Sequence, residues 1–196
     1  MKHMRGFLIA IVAALVVAVP LLYSSHRQTT MRNFHVVEEG VLYRSGQLSP
    51  AAFEQVLNDR GIKTVVTLRT VRDKTLPYPD DFERQICEAH GLKHIRIEPL
   101  VWSPDEHGDI PAEQNVAKFL ELMSDSNRHP VLVHCFAGVH RTGTMCAIYR
   151  MEAYRWSAER AIVEMQACGF DSGKDAGTKA IENYLRNYQP RWLKRP

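Results

Sequence analysis

Apolar and polar positions along this chain repeat in two periods, near two and near 3.6, and the switches between them mark out its elements. Phe34–Val37 and Val41–Tyr43 are short apolar runs with Gly40 between them, which predicts two strands joined by a turn. Ser49-Pro50 opens a helix, with Ser as the cap and Pro at the first helical position. Phe53, Val56 and Leu57 form its apolar face, and Gly61 ends it. Ile62–Leu68 is a β-branched run and predicts a buried strand. Pro77 and Pro79 interrupt the chain. A helix follows from Asp80 to His90, with Gly91 past its end, then a strand over Leu92–Ile97. Glu98–Ile110 carries Pro99, Pro104 and Gly108 and reads as a loop. Pro111 starts a helix through Ala117, Leu120 and Met123. Val131–Val133 is a short apolar strand. Helices are expected over Thr142–Tyr154, behind a Ser157 cap through Ile162, Met165 and Gln166, and over Ala176–Tyr188.

Strands alternating with helices predict an α/β domain with a central, largely parallel sheet flanked by helices. The domain is expected over residues 34–190, roughly 160 residues, enough to bury a substantial core.

The N-terminus breaks this pattern. Phe7–Leu22 is an uninterrupted apolar run of 16 residues with no polar face, preceded by Lys2 and Arg5. Its length falls between the ~20 residues of a spanning helix and the ~7–15 of a signal-peptide core. Val19-Pro20-Leu21-Leu22-Tyr23 lacks the alternating small residues of a cleavage site. An uncleaved hydrophobic helix anchoring the chain in a membrane is therefore favoured over a removed signal sequence for residues 1–25, with 26–33 as a polar linker. Lys2 and Arg5 before the run are matched by Arg27 and Arg32 after it, so charge does not decide the orientation. The basic cluster followed directly by an apolar segment is similar to export signals, and favours the large domain on the exported, periplasmic side.

Composition adds little. Hydrophobic residues at 45% and charged residues at 24% argue against wholesale disorder. A formal net charge of +3 without a basic run gives no reason to expect a nucleic-acid partner. Cys87, Cys135, Cys146 and Cys168 lack metal-ligand spacing. Cys87, Cys146 and Cys168 sit in apolar helical patterns and read as small buried hydrophobes, with a disulfide among them left open. Oligomeric state is not legible.

The chemistry is concentrated in Val131–Gly143: a strand, a loop from Cys135 to Arg141, then a helix. A loop entering a helix N-terminus offers free N–H groups and the positive end of the helix dipole, and so binds phosphate. Phe136, Ala137, Gly138, Val139, His140 and Arg141 are the expected phosphate-binding residues. Gly138 supplies backbone freedom, and Arg141 can grip two phosphate oxygens at once. Cys135 sits at the base, where the same amides and dipole stabilise a thiolate. Such a thiolate can attack phosphorus in line, with Arg141 and the amides stabilising the equatorial oxygens. The scheme needs no metal or other cofactor. His134 could fix the cysteine geometry or be a satisfied core histidine, and Thr142 could place its hydroxyl near the sulfur. Cys followed six residues later by Arg is a weak signal alone. His134, Gly138, Thr142-Gly143 and the strand–loop–helix context strengthen it.

The run His134-Cys135-Phe136-Ala137-Gly138-Val139-His140-Arg141-Thr142-Gly143 resembles the signature of the cysteine-based protein tyrosine phosphatases, the small dual-specificity branch in particular. Leu42–Gln47 and Thr64–Arg69 resemble bacterial and plant–fungal atypical members. The resemblance extends over about Phe34–Gly169. It implies the family's fold and a two-step, metal-free hydrolysis of phosphate monoesters. The plant–fungal group, which includes inositol pyrophosphate phosphatases, has Lys where this chain has Val139, a loss of charge that argues against the most highly phosphorylated inositols. His140 does match that group. The resemblance also implies an acid on the loop before the Pro111 helix, where Asp105, Glu106 and Asp109 lie. Asp105 and Asp109 are the candidates for the general acid. Asp109 could also simply favour the start of that helix. Arg69, Arg72 and Lys74 follow a strand end and could add positive charge around the phosphate.

The expected substrates are phosphotyrosine and phosphoserine/threonine in proteins, with phosphoinositides or other small phosphoesters as the alternative. A sulfurtransferase or arsenate reductase is disfavoured by Thr142-Gly143 and by the lack of a second cysteine close to Cys135. A phosphate-binding module without catalysis is disfavoured by the intact Cys135 and Arg141.

Overall fold

A computed structural model describes residues 12, 14–20, 31–71, 73 and 75–193. Strands β1 (His35–Glu38) and β2 (Leu42–Ser45) form an antiparallel hairpin. Gly40 turns between them at a φ of 73°, where a side chain would be strained. Helix α1 (Pro50–Asp59) follows, and the Ser49 side chain accepts a hydrogen bond from the Ala52 N–H, as the Ser-Pro pair predicts. The chain continues through β3 (Thr64–Thr67), α2 (Asp81–Ala89), β4 (Lys93–Arg96), α3 (Glu113–Ser124), β5 (Val131–His134), α4 (His140–Tyr154), α5 (Ala158–Ala167) and α6 (Ala176–Asn187).

The five strands lie in the order β1-β2-β5-β3-β4, and β2, β5, β3 and β4 are mutually parallel. The α/β expectation therefore holds. Alternation along the strands divides the core in two. Leu42, Val66, Val131 and Val133 face a cluster with Phe119 of α3, Ile148 of α4, Ile162 of α5 and Leu185 of α6. Tyr43, Val65 and Leu132 face a second cluster with Phe53 and Leu57 of α1 and Cys87 of α2. With both faces covered, β3 and β5 are buried throughout and read as continuous apolar or β-branched runs.

Element bounds shift slightly. Helix α4 begins at His140 rather than Thr142, because His140 and Arg141 take helical angles while their polarity hides them from the apolar pattern. Pro111 lies in a turn ahead of α3, which starts at Glu113.

The expected N-terminal membrane anchor is corrected. Among the described residues no helix is long and apolar enough to cross a membrane. Residues 14–20 are helical, but at 1.5 Å per residue this piece reaches only about a third of a ~30 Å hydrocarbon layer. Residues 7–11, 13, 21 and 22 of the apolar run lie outside the described residues. The single-pass anchor, the membrane as a partner and the membrane-tethered exported location are withdrawn.

Candidate active site

Because β2, β5 and β3 are parallel neighbours, their carboxyl ends open on one edge of the sheet, where crevices form in such folds. Three segments meet there: Gly46-Gln47 after β2, Cys135–Val139 after β5, and Leu68-Arg69 after β3. The central strand carries the cysteine loop, so the loop is walled on both sides.

Its carbonyls are turned outward to partners on those walls. His134 O accepts from Leu68 N–H at 2.8 Å, and Phe136 O accepts from Gln47 N–H at 2.9 Å. Gly138 O accepts from the buried Arg44 Nη2 at 2.6 Å and from Asn33 Nδ2 at 3.1 Å. The N–H groups of Phe136, Ala137, Gly138 and Val139 meet no acceptor among the described residues. Carbonyls tied outward and amides left over make an anion cradle at the start of α4. Gly138 is essential to the shape. Its φ is 71°, and a Cβ there would lie 2.5 Å from Gly46 N. Gly46 returns the constraint, since its own Cβ would lie 2.9 Å from Phe136 O.

Cys135 lies at the base of the cradle, 5% exposed. All four cysteines are free thiols. Burial pushes Cys87 up to about 12, helped by Glu83 and Glu88, and pushes Cys146 up to about 11. Those two are inert small hydrophobes, as their sequence patterns suggest; Cys168 is partly exposed. Arg141, in the first turn of α4, donates from Nη1 to Leu68 O at 3.2 Å. Thr142 Oγ1 is buried without a hydrogen-bond partner.

His134 is not isolated in the core. Its Nε2 lies 2.8 Å from Oε2 of Glu83 on α2, close enough to pair by charge but off the line of a well-formed hydrogen bond. Both side chains are 1% exposed. Burial pushes Glu83 up, but the imidazoles of His134 and His94 outweigh it and hold its carboxyl below the usual range. Gln47 Nε2 donates to Glu83 Oε1, and Gln47 Oε1 accepts from Arg69 Nη1 at 2.7 Å. Asp80, Glu83 and His94 bring ligand-type atoms within 4.8 Å of one another. However, Arg96 Nη1 lies 3.0 Å from Asp80 Oδ1 and His134 faces Glu83, so the carboxylates are already matched by protein groups and call for no metal.

At the mouth, the exposed Phe136 ring is flanked by the guanidinium carbons of Arg32 at 4.1 Å and Arg69 at 5.2 Å. Burial lowers Arg69 from its ordinary value while Asp80 and Glu83 raise it. Arg72 and Lys74 lie outside the described residues. Beside His140 and Arg141 opens a pocket of about 460 Å³, walled by Leu100, Val101, Trp102 and Ile181, with Asp175 at its edge.

Asp105 and Asp109 are both exposed, at the tip of the loop before α3. Asp105 Oδ1 accepts from the N–H groups of His107 and Asp109, at 2.9 and 3.0 Å, closing the tip on itself. The loop's base is fixed by Ala112 N–H on Val101 O and by Asn115 Nδ2 on Glu98 O. It is the base, residues 99–103, that lines the pocket beside Arg141. Neither aspartate has a polar contact with the cradle.

The residues that hold the cradle from outside, Asn33, Gln47 and Glu83, carry no site role in the sequence reading. A signal was present in Arg44-Ser45, polar residues in a strand otherwise apolar.

Comparisons with known proteins bear on the family and the fold. The family described as "DSP-PTPase phosphatase fused to NAD+ Kinase" matches residues 16–183. OCA1 of Saccharomyces cerevisiae strain YJM789, named as a candidate tyrosine-protein phosphatase, is 33% identical over 177 residues, 82% of this chain and 68% of its own length. The inositol diphosphatase DSP4 of Arabidopsis thaliana is 29% identical over 140 residues, 68% of this chain and 62% of DSP4. The chain thus spans about two thirds or less of these relatives. The fold is similar to that of the catalytic core of the PP-IP phosphatase SIW14 from S. cerevisiae, with a TM-score of 0.63 and 22% identity over 84% of this chain and 90% of that one.

Proposed function

The chain belongs to the cysteine-based, dual-specificity-like phosphatase family, and on that premise we propose that it hydrolyses phosphotyrosine, and phosphoserine or phosphothreonine besides, through a cysteinyl-phosphate. One observation carries this reading. A buried cysteine lies under a loop whose Phe136, Ala137 and Gly138 carbonyls are turned to outside partners and whose amides are left for an anion.

In the first step the Cys135 thiolate attacks phosphorus, a sulfur–phosphorus bond forms and the ester oxygen leaves. The amides of residues 136–139 and the Arg141 guanidinium bind the equatorial oxygens through the transition state, where charge spreads over them. The leaving oxygen takes a proton from a carboxyl group. Of the two candidates, Asp109 is the better supplied, because Asp105 Oδ1 is committed to two N–H groups of its own turn. The loop tip has to approach the leaving oxygen once substrate is bound. In the second step the same carboxylate takes a proton from water, water attacks phosphorus, and the sulfur leaves as thiolate. The Thr142 hydroxyl, buried and unpartnered, is available to that thiolate. The pocket walled by Leu100, Val101 and Trp102 suits the uncharged part of a phosphotyrosine peptide.

A second reading, an inositol diphosphate or phosphoinositide as substrate, is favoured by Arg32 and Arg69 at the mouth. They supply more positive charge than one monoester requires.

The test is Cys135→Ser. Turnover of a chromogenic aryl phosphate is expected to vanish while phosphate-ester binding survives. Unchanged turnover would sink the mechanism. Catalytic efficiencies on phosphotyrosine peptides, phosphoserine peptides and inositol diphosphates then rank the two substrate readings.

A further inference from the structure

The buried carboxylate of Glu83 joins both sides of Cys135. On one side Glu83 Oε2 faces His134 Nε2, in the residue before the cysteine. On the other, Glu83 Oε1 accepts from the Gln47 side chain. Gln47 in turn holds Phe136, the residue after the cysteine, in two ways. Its N–H donates to Phe136 O, and its Oε1 accepts from Arg69, whose guanidinium packs over the Phe136 ring. The contacts close a ring: Glu83, His134, Cys135, Phe136, Gln47 and back.

Two carboxylates, Asp80 and Glu83, are buried here. Arg96 Nη1 answers Asp80 at 3.0 Å. Arg69 reaches Glu83 only through Gln47. Glu83 Oε2 is faced by two imidazoles, His134 at 2.8 Å and His94 of β4 at 3.9 Å. A bare ring nitrogen would repel a carboxylate oxygen at 2.8 Å, so His134 presents a proton on Nε2. Around them lie the Cys87 thiol on the same helix, which burial, Glu83 and Glu88 all push up, and, beside Arg69, Cys135 and Arg141.

We infer that Glu83 is a positioning residue of the phosphatase site, fixing the His134 ring on one side and, through Gln47, Phe136 on the other, so that the loop keeps its amides aimed at the Cys135 thiolate. The inference rests on the reading of Cys135 as the nucleophile. Glu83 itself touches no substrate. Loss of its carboxylate leaves the His134 ring without its partner and the Gln47 side chain without its anchor. Removing the carboxylate charge by itself favours a negative sulfur, so any loss of thiolate character in a Glu83 variant comes from the lost positioning of the loop and has to outweigh that charge effect.

The test follows alkylation of Cys135 by iodoacetamide against pH in the full chain, read by mass spectrometry. In the native protein Cys135 is expected to react at lower pH than Cys168. If it does not, the nucleophile reading itself fails. Given that it does, Glu83→Gln is expected to move the Cys135 profile to higher pH by about half a unit or more. It is also expected to lower kcat about tenfold with little change in KM. His134→Gln should produce the same shift, and the double variant no more than either single one, because both act through one contact. Gln47→Ala cuts a single arm of the ring and should give a smaller shift in the same direction. If Glu83→Gln does not fold, as judged by its circular dichroism melt, His134→Gln and Gln47→Ala decide. A profile that stays in place or moves to lower pH in the folded variants overturns the inference, even where the melting temperature falls.

Discussion

The cysteine loop and the loop before α3 are both irregular segments at the same end of the molecule, yet they are held in opposite ways. Residues 134–138 are tied by bonds from Leu68, Gln47, Arg44 and Asn33, contributed by three other segments of the chain. The segment 98–112 is tied at its base, and its tip at Asp105–Asp109 bonds only to itself. Binding and stabilising a phosphoryl group needs donors fixed in advance, because reorganisation at the moment of reaction would cost rate. Delivering a proton needs a group that arrives with the substrate. On the proposed mechanism, the contrast divides the chemistry between a half held in place and a half that has to approach.

The largest expected effect comes from breaking the half held in place at its tightest point. Gly138→Ala places a Cβ 2.5 Å from Gly46 N and asks for a φ of 71° that alanine resists. The loop must shift away from β2 to accommodate it. Misplacement by about 1 Å can cost on the order of 10²-fold, so kcat/KM on an aryl phosphate should fall by about that much or more. A steady-state assay alongside a thermal melt checks it. Native activity in a folded Gly138→Ala protein would mean that the backbone does not shape the cradle.

What sequence made legible follows the same division. Cys135, Gly138 and Arg141 are contiguous and sit between a strand and a helix, so their spacing alone suggested an anion cradle. Sheet and helices were legible because apolar periodicity reports burial directly. Arg44 lies 94 positions from Gly138 and Asn33 lies 105 away. They meet only through the register of β2 on β5, which no local pattern reports. Glu83 was hidden for a related reason. On an amphipathic helix a charged residue reads as solvent-facing, and only the packing of α2 on the sheet turns it inward. The aspartates were legible as candidates and no further, because their placement depends on a turn closed by its own backbone. The apolar N-terminal run shows the opposite failure, a strong pattern that the described residues do not bear out as a membrane-spanning helix.

The half that has to approach is tested by leaving groups. Asp109→Asn should slow an alkyl phosphate, whose oxygen needs a proton to leave, by about 10²-fold. The same variant should change an aryl phosphate with a good leaving group far less. Asp105→Asn is the paired control. A greater loss there would move the proton donor to Asp105, and equal indifference in both would place it off this loop. Either outcome leaves the cradle intact, which is what makes the two halves separable.

The smallest effect concerns stability rather than rate, and it asks whether the support under the cradle is electrostatic. Burial opposes ionisation of Glu83, but His134 and His94 hold its carboxyl below its ordinary value of 4.5. A carboxyl lowered in the folded state binds its proton more readily once the chain unfolds. Its contribution to stability is therefore fully present above the unfolded value, and is lost as pH falls through the lower folded one. Glu83→Gln has no such proton to bind. The gap in unfolding free energy between native and Glu83→Gln protein should hold from pH 7 to about pH 5, then narrow as the pH falls through and below the ordinary Glu range. Urea unfolding at stepped pH measures it. A gap constant down to pH 3 would mean that the contact of Glu83 with His134 is one of shape, and that the cradle rests on packing alone.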